Sequence, residues 1–185
     1  EDVWMLQSTS NIEAGDYEVG LWGQSYSVLN TFSLDLSDNQ ATGSIPSRIG
    51  NLIYLEDLRL KSNQQLTGSI PSEIGNLDSL RYLILDENNL TGSIPSEIGN
   101  LINLTGLELN TNQLSGEIPS EIGNLISLTY LYLSNNQLTG EIPETICDLN
   151  INWSNNFYIS NNQLCPPYPS CLENYVGEQD TTNCD

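Results

Sequence analysis

Histidine is missing from all 185 residues, and lysine and arginine together number 4 against 24 aspartates and glutamates, a formal charge of −20. Each shortage excludes something. Without imidazole there is no Ser-His-Asp triad, no Cys-His pair and no His-ligated metal site. With so few cations the chain cannot neutralise a phosphate backbone, so nucleic acid is not expected as a partner, and anionic membrane surfaces repel it. No apolar run approaches the roughly 20 residues that span a bilayer, so no membrane insertion is expected. No C-x-x-C spacing occurs, which removes a zinc reading of the cysteines. The chain opens at Glu1 with neither an initiator methionine nor an apolar leader run, so any signal peptide is expected to have been removed.

What is present reads as a folded domain of ordinary size, with 38% hydrophobic and 15% charged residues and enough net charge to stay soluble. Cys147, Cys165, Cys171 and Cys184 all fall near one terminus. An even number clustered there predicts a disulfide-bonded end and an oxidising, secreted or cell-surface location.

Self-similarity settles the architecture. LRLKSNQQLTGSIP from Leu58 recurs as LILDENNLTGSIP from Leu83, LELNTNQLSGEIP from Leu107 and LYLSNNQLTGEIP from Leu131; LDLSDNQATGSIP begins at Leu34 and a degenerate FYISNNQL at Phe157. The repeated asparagine falls at Asn39, Asn63, Asn88, Asn112, Asn136 and Asn162, in steps of 24 to 26 residues. One glutamine of the pair Gln64-Gln65 is an insertion that a loop can absorb. Between copies runs SEIGNL or a close variant.

Each part of the repeat has a physical task. L-x-L has period 2, so both leucines point inward from a short strand. Stacking about six such strands in parallel makes a sheet roughly 29 Å across. The asparagine sits where the chain turns inward, and its amide can donate and accept in one ladder. Glycine allows the tight bend that follows. Ile-Pro then buries one side chain, fixes φ and opens a short helical turn. No unit buries its own leucines; its neighbours must do so.

The pattern L-x-L-x-x-N-x-L-[TS]-G-x-I-P-x-x-I-G-x-L resembles the plant-type leucine-rich repeat of receptor-kinase ectodomains and polygalacturonase-inhibiting proteins. That resemblance implies an α/β repeat solenoid, a right-handed arc with a parallel β-sheet on the concave face and short 3-10 turns on the convex face. It also implies extracellular recognition without catalysis or cofactor. The expected organisation is an N-terminal cap over 1–30, five repeats over 31–149, and a degenerate sixth repeat with a disulfide-bonded cap over 150–185. LWGQSYS (Leu21–Ser27) resembles the W-x-G-x-x-C of plant N-terminal caps. Ser25 and Ser27 stand where a cysteine is expected, so this cap must hold by packing Trp22 and Tyr26. The C-terminal cap looks like that of secreted bacterial repeat proteins. L-C-P-P-Y-P-S-C resembles the closing L-C-G-x-P-L-x-x-C, which implies a Cys165–Cys171 bridge and with it Cys147–Cys184, although four cysteines allow three connectivities.

Reading outward positions by register gives three columns on the concave sheet. They are Ser33, Asp57, Tyr82, Gly106, Tyr130, Asn156; then Asp35, Arg59, Ile84, Glu108, Tyr132, Tyr158; then Ser37, Lys61, Asp86, Asn110, Ser134, Ser160. Tyrosine offers large contact area at small entropic cost, so Tyr130, Tyr132 and Tyr158, with Tyr82 and Ile84 nearer the centre, form the candidate partner-binding patch. The alternative is cross-strand packing that only stabilises the sheet. Arg59 and Lys61 join the candidate site, though beside Asp35, Asp57 and Asp86 they read more simply as charge pairs.

Other readings compete. A stacked hydroxyl array (Thr42, Thr67, Thr91, Ser115, Thr139, with Ser44, Ser69 and Ser93 two residues on) suggests an ice-facing ladder. Calcium needs converging carboxylates, whereas Glu73, Glu97 and Glu121 recur singly and read as a solvated face; no metal site is expected. Asp35 and Asp57 could approach each other as glycosidase carboxylates do, but a sheet without a deep pocket gives neither a reason to hold a proton. Asn89, Asn103 and Asn152 lie in N-x-[ST] sequons, which carry glycans only in a eukaryotic source. The expected function is a non-enzymatic extracellular module binding a protein or carbohydrate ligand through its concave face. A self-associating surface-assembly protein is the runner-up.

Overall fold

The computed structural model describes residues 17–38 and 40–184. Six parallel strands, Ser33–Asp35, Asp57–Arg59, Tyr82–Ile84, Gly106–Glu108, Tyr130–Tyr132 and Phe157–Tyr158, lie side by side in chain order as the concave sheet. Their register aligns Leu34, Leu58, Leu83, Leu107, Leu131 and Phe157. The four central members of that row have no exposed surface. Each such leucine stabilises the fold by about 1.5–3 kcal/mol through burial, but only because a neighbouring coil covers it.

Five 3-10 helices on the opposite side, Ser47–Asn51, Ser72–Asn76, Ser96–Asn100, Ser120–Asn124 and Glu144–Asp148, each follow a proline whose fixed φ sets up the turn. Their glycines are required by close approach between coils. A methyl group at Gly99 would stand 2.6 Å from Glu121 Cβ, and one at Gly75 would stand 2.7 Å from Glu97 Cβ.

The asparagines are interior. Asn112 Nδ2 donates to Leu85 O of the preceding coil at 2.9 Å and to Leu109 O at 3.2 Å, while Leu90 N donates to Asn112 Oδ1 at 3.0 Å. Asn63, Asn88, Asn136 and Asn162 donate in the same way; Asn39 lies outside the described residues. The Gln64-Gln65 insertion changes one rung: Leu66 N turns back to Asn63 O at 2.8 Å, and Asn63 N takes over the bond to Asn88 Oδ1, also at 2.8 Å. Before each asparagine stands a residue at positive φ, among them Thr111 at 56°, a conformation a β-branched side chain resists.

A second parallel sheet departs from expectation. The Leu-Thr-Gly segments, read above as bends, form strands Thr67–Gly68, Asn89–Gly92, Gln113–Gly116, Gln137–Glu141 and Gln163–Cys165. Its register is sheared, with Gly68 opposite Leu90, Gly92 opposite Leu114, Gly116 opposite Leu138 and Gly140 opposite Leu164. Thr91 therefore pairs with Gln113 rather than Ser115, and the hydroxyl array runs obliquely across the face instead of standing in a straight row.

Both ends are atypical. An antiparallel hairpin, Glu18–Leu21 with Gln24–Ser27, turns through Trp22 and Gly23, both at positive φ. Val19 and Leu21 are buried beneath it, and Trp22 and Tyr26 pack half-buried on the core. At the other end the disulfides correct the expected pairing: Cys147 bonds Cys171 and Cys165 bonds Cys184, with Cα atoms 5.9 and 5.5 Å apart. Stacking explains it, since the 24 residues from Cys147 to Cys171 make one coil, so the two cysteines lie in adjacent layers. Gln179 then serves as a further rung. Its Nε2 donates to Ile159 O at 3.0 Å and Val176 O at 2.8 Å, and its Oε1 accepts from Leu164 N at 3.4 Å, the pattern the asparagines use.

Candidate functional site on the concave sheet

Cross-strand pairing sets the outward columns. Tyr82, Gly106 and Tyr130 are register partners, as are Ile84, Glu108, Tyr132 and Tyr158. The rings of Tyr130 and Tyr132 stand 5.2 Å apart between centroids and those of Tyr132 and Tyr158 stand 4.9 Å apart, both tilted. Spacings in this range bring favourable ring–ring contact. Tyr158 is 48% exposed; Tyr130 and Tyr132 are half-buried.

Gly106 decides where Tyr130 points. The phenol ring lies over the bare glycine, so close that a Cβ there would collide with its Cζ and hydroxyl. The ring thus lies across the sheet instead of standing up from it. Burial, then the charge of Glu108, push the Tyr130 hydroxyl up to about 12. Tyr132 is raised for the same leading reason.

The candidate cations are engaged with carboxylates. Arg59 Nε meets both Asp57 oxygens, at 2.9 and 3.0 Å, and the guanidinium stands 6.0 Å from the Tyr82 ring centre. Lys61 Nζ contacts Asp86 at 2.8 Å and Glu87 at 3.3 Å. Hydrogen bonds to Asp57 and Asp86 lead the causes that raise Arg59 and Lys61 respectively. The charge-pair reading therefore describes both, although Arg59 pairs within its own strand. Ile84 is 5% exposed, which makes it floor rather than contact surface.

Outward position alone did not single out Glu108 or Asp86. Glu108 is half-buried, its carboxylate has no hydrogen-bond or ion-pair partner among the described residues, and burial, then Asp86, raise that carboxyl. Asp86 is 1% exposed, and its Oδ1, like Asn110 Oδ1, is buried without a hydrogen bond. Glu108 stands in the register columns, but its desolvation depends on how neighbouring rings fold down. Elsewhere, Glu73, Glu97 and Glu121 each accept from the preceding serine hydroxyl at 3.3–3.4 Å. Of the sequon asparagines, Asn89 bridges Gln64 O and Gln113 Nε2, Asn103 donates to Asp78 O, and Asn152 caps Ser154.

These features define a repeat solenoid. The Leucine Rich Repeat family model matches residues 30–52, 54–77, 79–101, 103–125 and 127–149, and the chain belongs to that family. Among solved structures it is similar to the ectodomain of the Arabidopsis thaliana membrane receptor kinase GASSHO1/SCHENGEN3, solved in complex with CASPARIAN STRIP INTEGRITY FACTOR 2. Identity is 43%, over 76% of this chain and 16% of that one, with a TM-score of 0.69. The BIR3–SERK2 complex from the same plant matches at 32% identity over 91% of this chain and 87% of that one, TM-score 0.61. A plant ice-binding protein matches at 34% identity over 80% of this chain and 46% of that one, TM-score 0.63. The chain spans 16–22% of the length of the first receptor ectodomains it resembles. No curated protein sequence matches it.

Proposed function

We propose that the chain is a non-enzymatic, extracellular recognition module whose concave sheet binds a polypeptide partner. The tyrosine cluster carries this reading: three rings in mutual contact on a rigid sheet, one of them 48% exposed, the residue type and preorganisation that interfaces favour. Tyr82, Arg59 and Lys61 extend the surface towards the N-terminal coils, over Ile84 as floor. Two disulfides and the likeness to plant receptor-kinase ectodomains, that of HAESA solved with a peptide hormone ligand, support an extracellular setting and a polypeptide rather than a carbohydrate. The segments 1–30 and 150–185 act as caps to the repeats at 31–149.

The test is a displayed-peptide selection on the intact chain. Ligands so obtained should bind about tenfold or more weakly to Y130A/Y132A, a variant that still folds and unfolds cooperatively at a lower temperature than the parent. Ligands indifferent to both substitutions would move the partner off this face. Sedimentation should find a monomer, whereas concentration-dependent assembly would favour the surface-assembly role. A second reading, ice binding by the outer sheet, draws on the 34%-identical ice-binding structure; the oblique hydroxyl register counts against it, and ice shaping by dilute protein would reinstate it.

A further inference from the structure

Glu108 on the concave sheet feels the charges of Lys61 and Arg59 only at a distance and forms an ion pair with neither. Arg59 is taken by Asp57 and Lys61 by Asp86 and Glu87, while the Glu108 carboxylate has neither an ion pair nor a hydrogen bond among the described residues. Its surroundings are those of a receptor for positive charge. Tyr132 is its partner in the next coil, and the Tyr130 ring lies alongside over Gly106. Ile84, its partner in the coil before, closes the floor at 5% exposure. In the adjoining column, Asp86 Oδ1 and Asn110 Oδ1 are buried without a hydrogen bond; Asp86, 1% exposed, meets Lys61 through its other oxygen. A buried acceptor without a donor is costly, and in a native fold each such group calls for an explanation, an ordered water, a bound ion or a functional role among them. The charge of Asp86 reaches Glu108, where it is the second cause, after burial, of the raised carboxyl.

We propose that Glu108, beside Tyr130 and Tyr132 and next to the column of Asp86 and Asn110, seats a cationic lysine or arginine side chain of the partner polypeptide. This rests on the concave-face reading and adds the chemistry of the ligand. An incoming ammonium or guanidinium gains the carboxylate, the two rings and the field of Asp86, and these must outweigh the like charges of Lys61 and Arg59 farther off. A carboxylate-bearing ligand is repelled, and a neutral one leaves the cluster as it was.

Acetyl-arginine amide, acetyl-lysine amide and the uncharged acetyl-citrulline amide are the probes, followed by NMR on the intact chain. The two cations should shift the Tyr130 and Tyr132 signals saturably and bind about tenfold tighter than citrulline, an advantage that E108Q abolishes. Equal binding by citrulline, or an arginine response unchanged in E108Q, overturns the proposal. So does saturable binding of calcium ion that disappears in E108Q, since the oxygens then serve a metal. So does a crystal structure in which Asn110 Nδ2 donates to Asp86 Oδ1, which would leave that acceptor satisfied. A selected peptide that needs Tyr130 and Tyr132 but ignores E108Q refutes this site while leaving the concave-face reading standing.

Discussion

The ring of Tyr130 occupies the space where a side chain at position 106 would stand. Gly106 is therefore a shaping residue of the tyrosine cluster, although it makes no polar contact of its own. In G106A the new methyl group collides with the ring, which must swing away from the sheet at a cost of about 1–3 kcal/mol. Freed from burial, the Tyr130 hydroxyl should titrate well below its present value of about 12, towards the ordinary tyrosine value near 10. Spectroscopic titration of tyrosinate checks this; an unchanged curve would mean the ring had never lain there.

Asn112 joins two coils through Leu85 O, Leu109 O and Leu90 N. Leucine in its place fits the interior by volume but leaves those backbone groups without partners, at about 1–3 kcal/mol for each one stranded. N112L should lose a few kcal/mol in urea unfolding. A loss under about 0.5 kcal/mol, the level of an ordinary surface change, would show that the amide ladder does not bear on stability.

Glu108 links binding to pH. Burial holds its folded-state carboxyl above the ordinary value, so the folded chain binds the proton more tightly than the unfolded one does. The ionised form therefore costs stability at neutral pH, and that cost fades as pH falls through the raised value towards the unfolded one, about 4.3. Asp35 and Glu87, lowered chiefly by hydrogen bonds from Ser37 and Ser62, act in the opposite sense and weaken the fold in acid. The comparison of E108Q with the parent isolates Glu108: the variant should melt higher at pH 7, and the gap should close below pH 4.5. A constant gap across that window would assign the effect to packing rather than charge.

Much of this architecture could be read from the chain because each repeat places one residue type at one structural position. The alternating leucines of Leu107–Leu109 give the inner strand, Asn112 the ladder, and Pro119 the start of a 3-10 turn. The concave columns follow by counting, and with them the meeting of Tyr130, Tyr132 and Tyr158. The outer sheet could not be read so. Thr67–Gly68 is two residues long, and its pairing depends on the Gly43–Leu66 bridge and on a shear that one copy of the motif does not encode. The likeness of L-C-P-P-Y-P-S-C to the family's closing motif misled the cysteine pairing, because Cys147 and Cys171 meet through the stacking of layers. Gln179 carries the ladder pattern on a longer side chain, in a segment (VGEQD) unlike any repeat. The burial of Ile84 and Glu108 depends on how the side chains around them lie, which counting positions does not give.

Among the described residues, the extra rung at Gln179 and the two covalent ties near it make the two ends of the array unequal. At the far end the described closure is a hairpin resting on Val19 and Leu21. In a stack where each layer leans only on its neighbours, heat should loosen the layer of Leu34 first and progress towards Phe157. The aromatic surface belongs to the fastened end, so it would keep its shape while the opposite extremity frays.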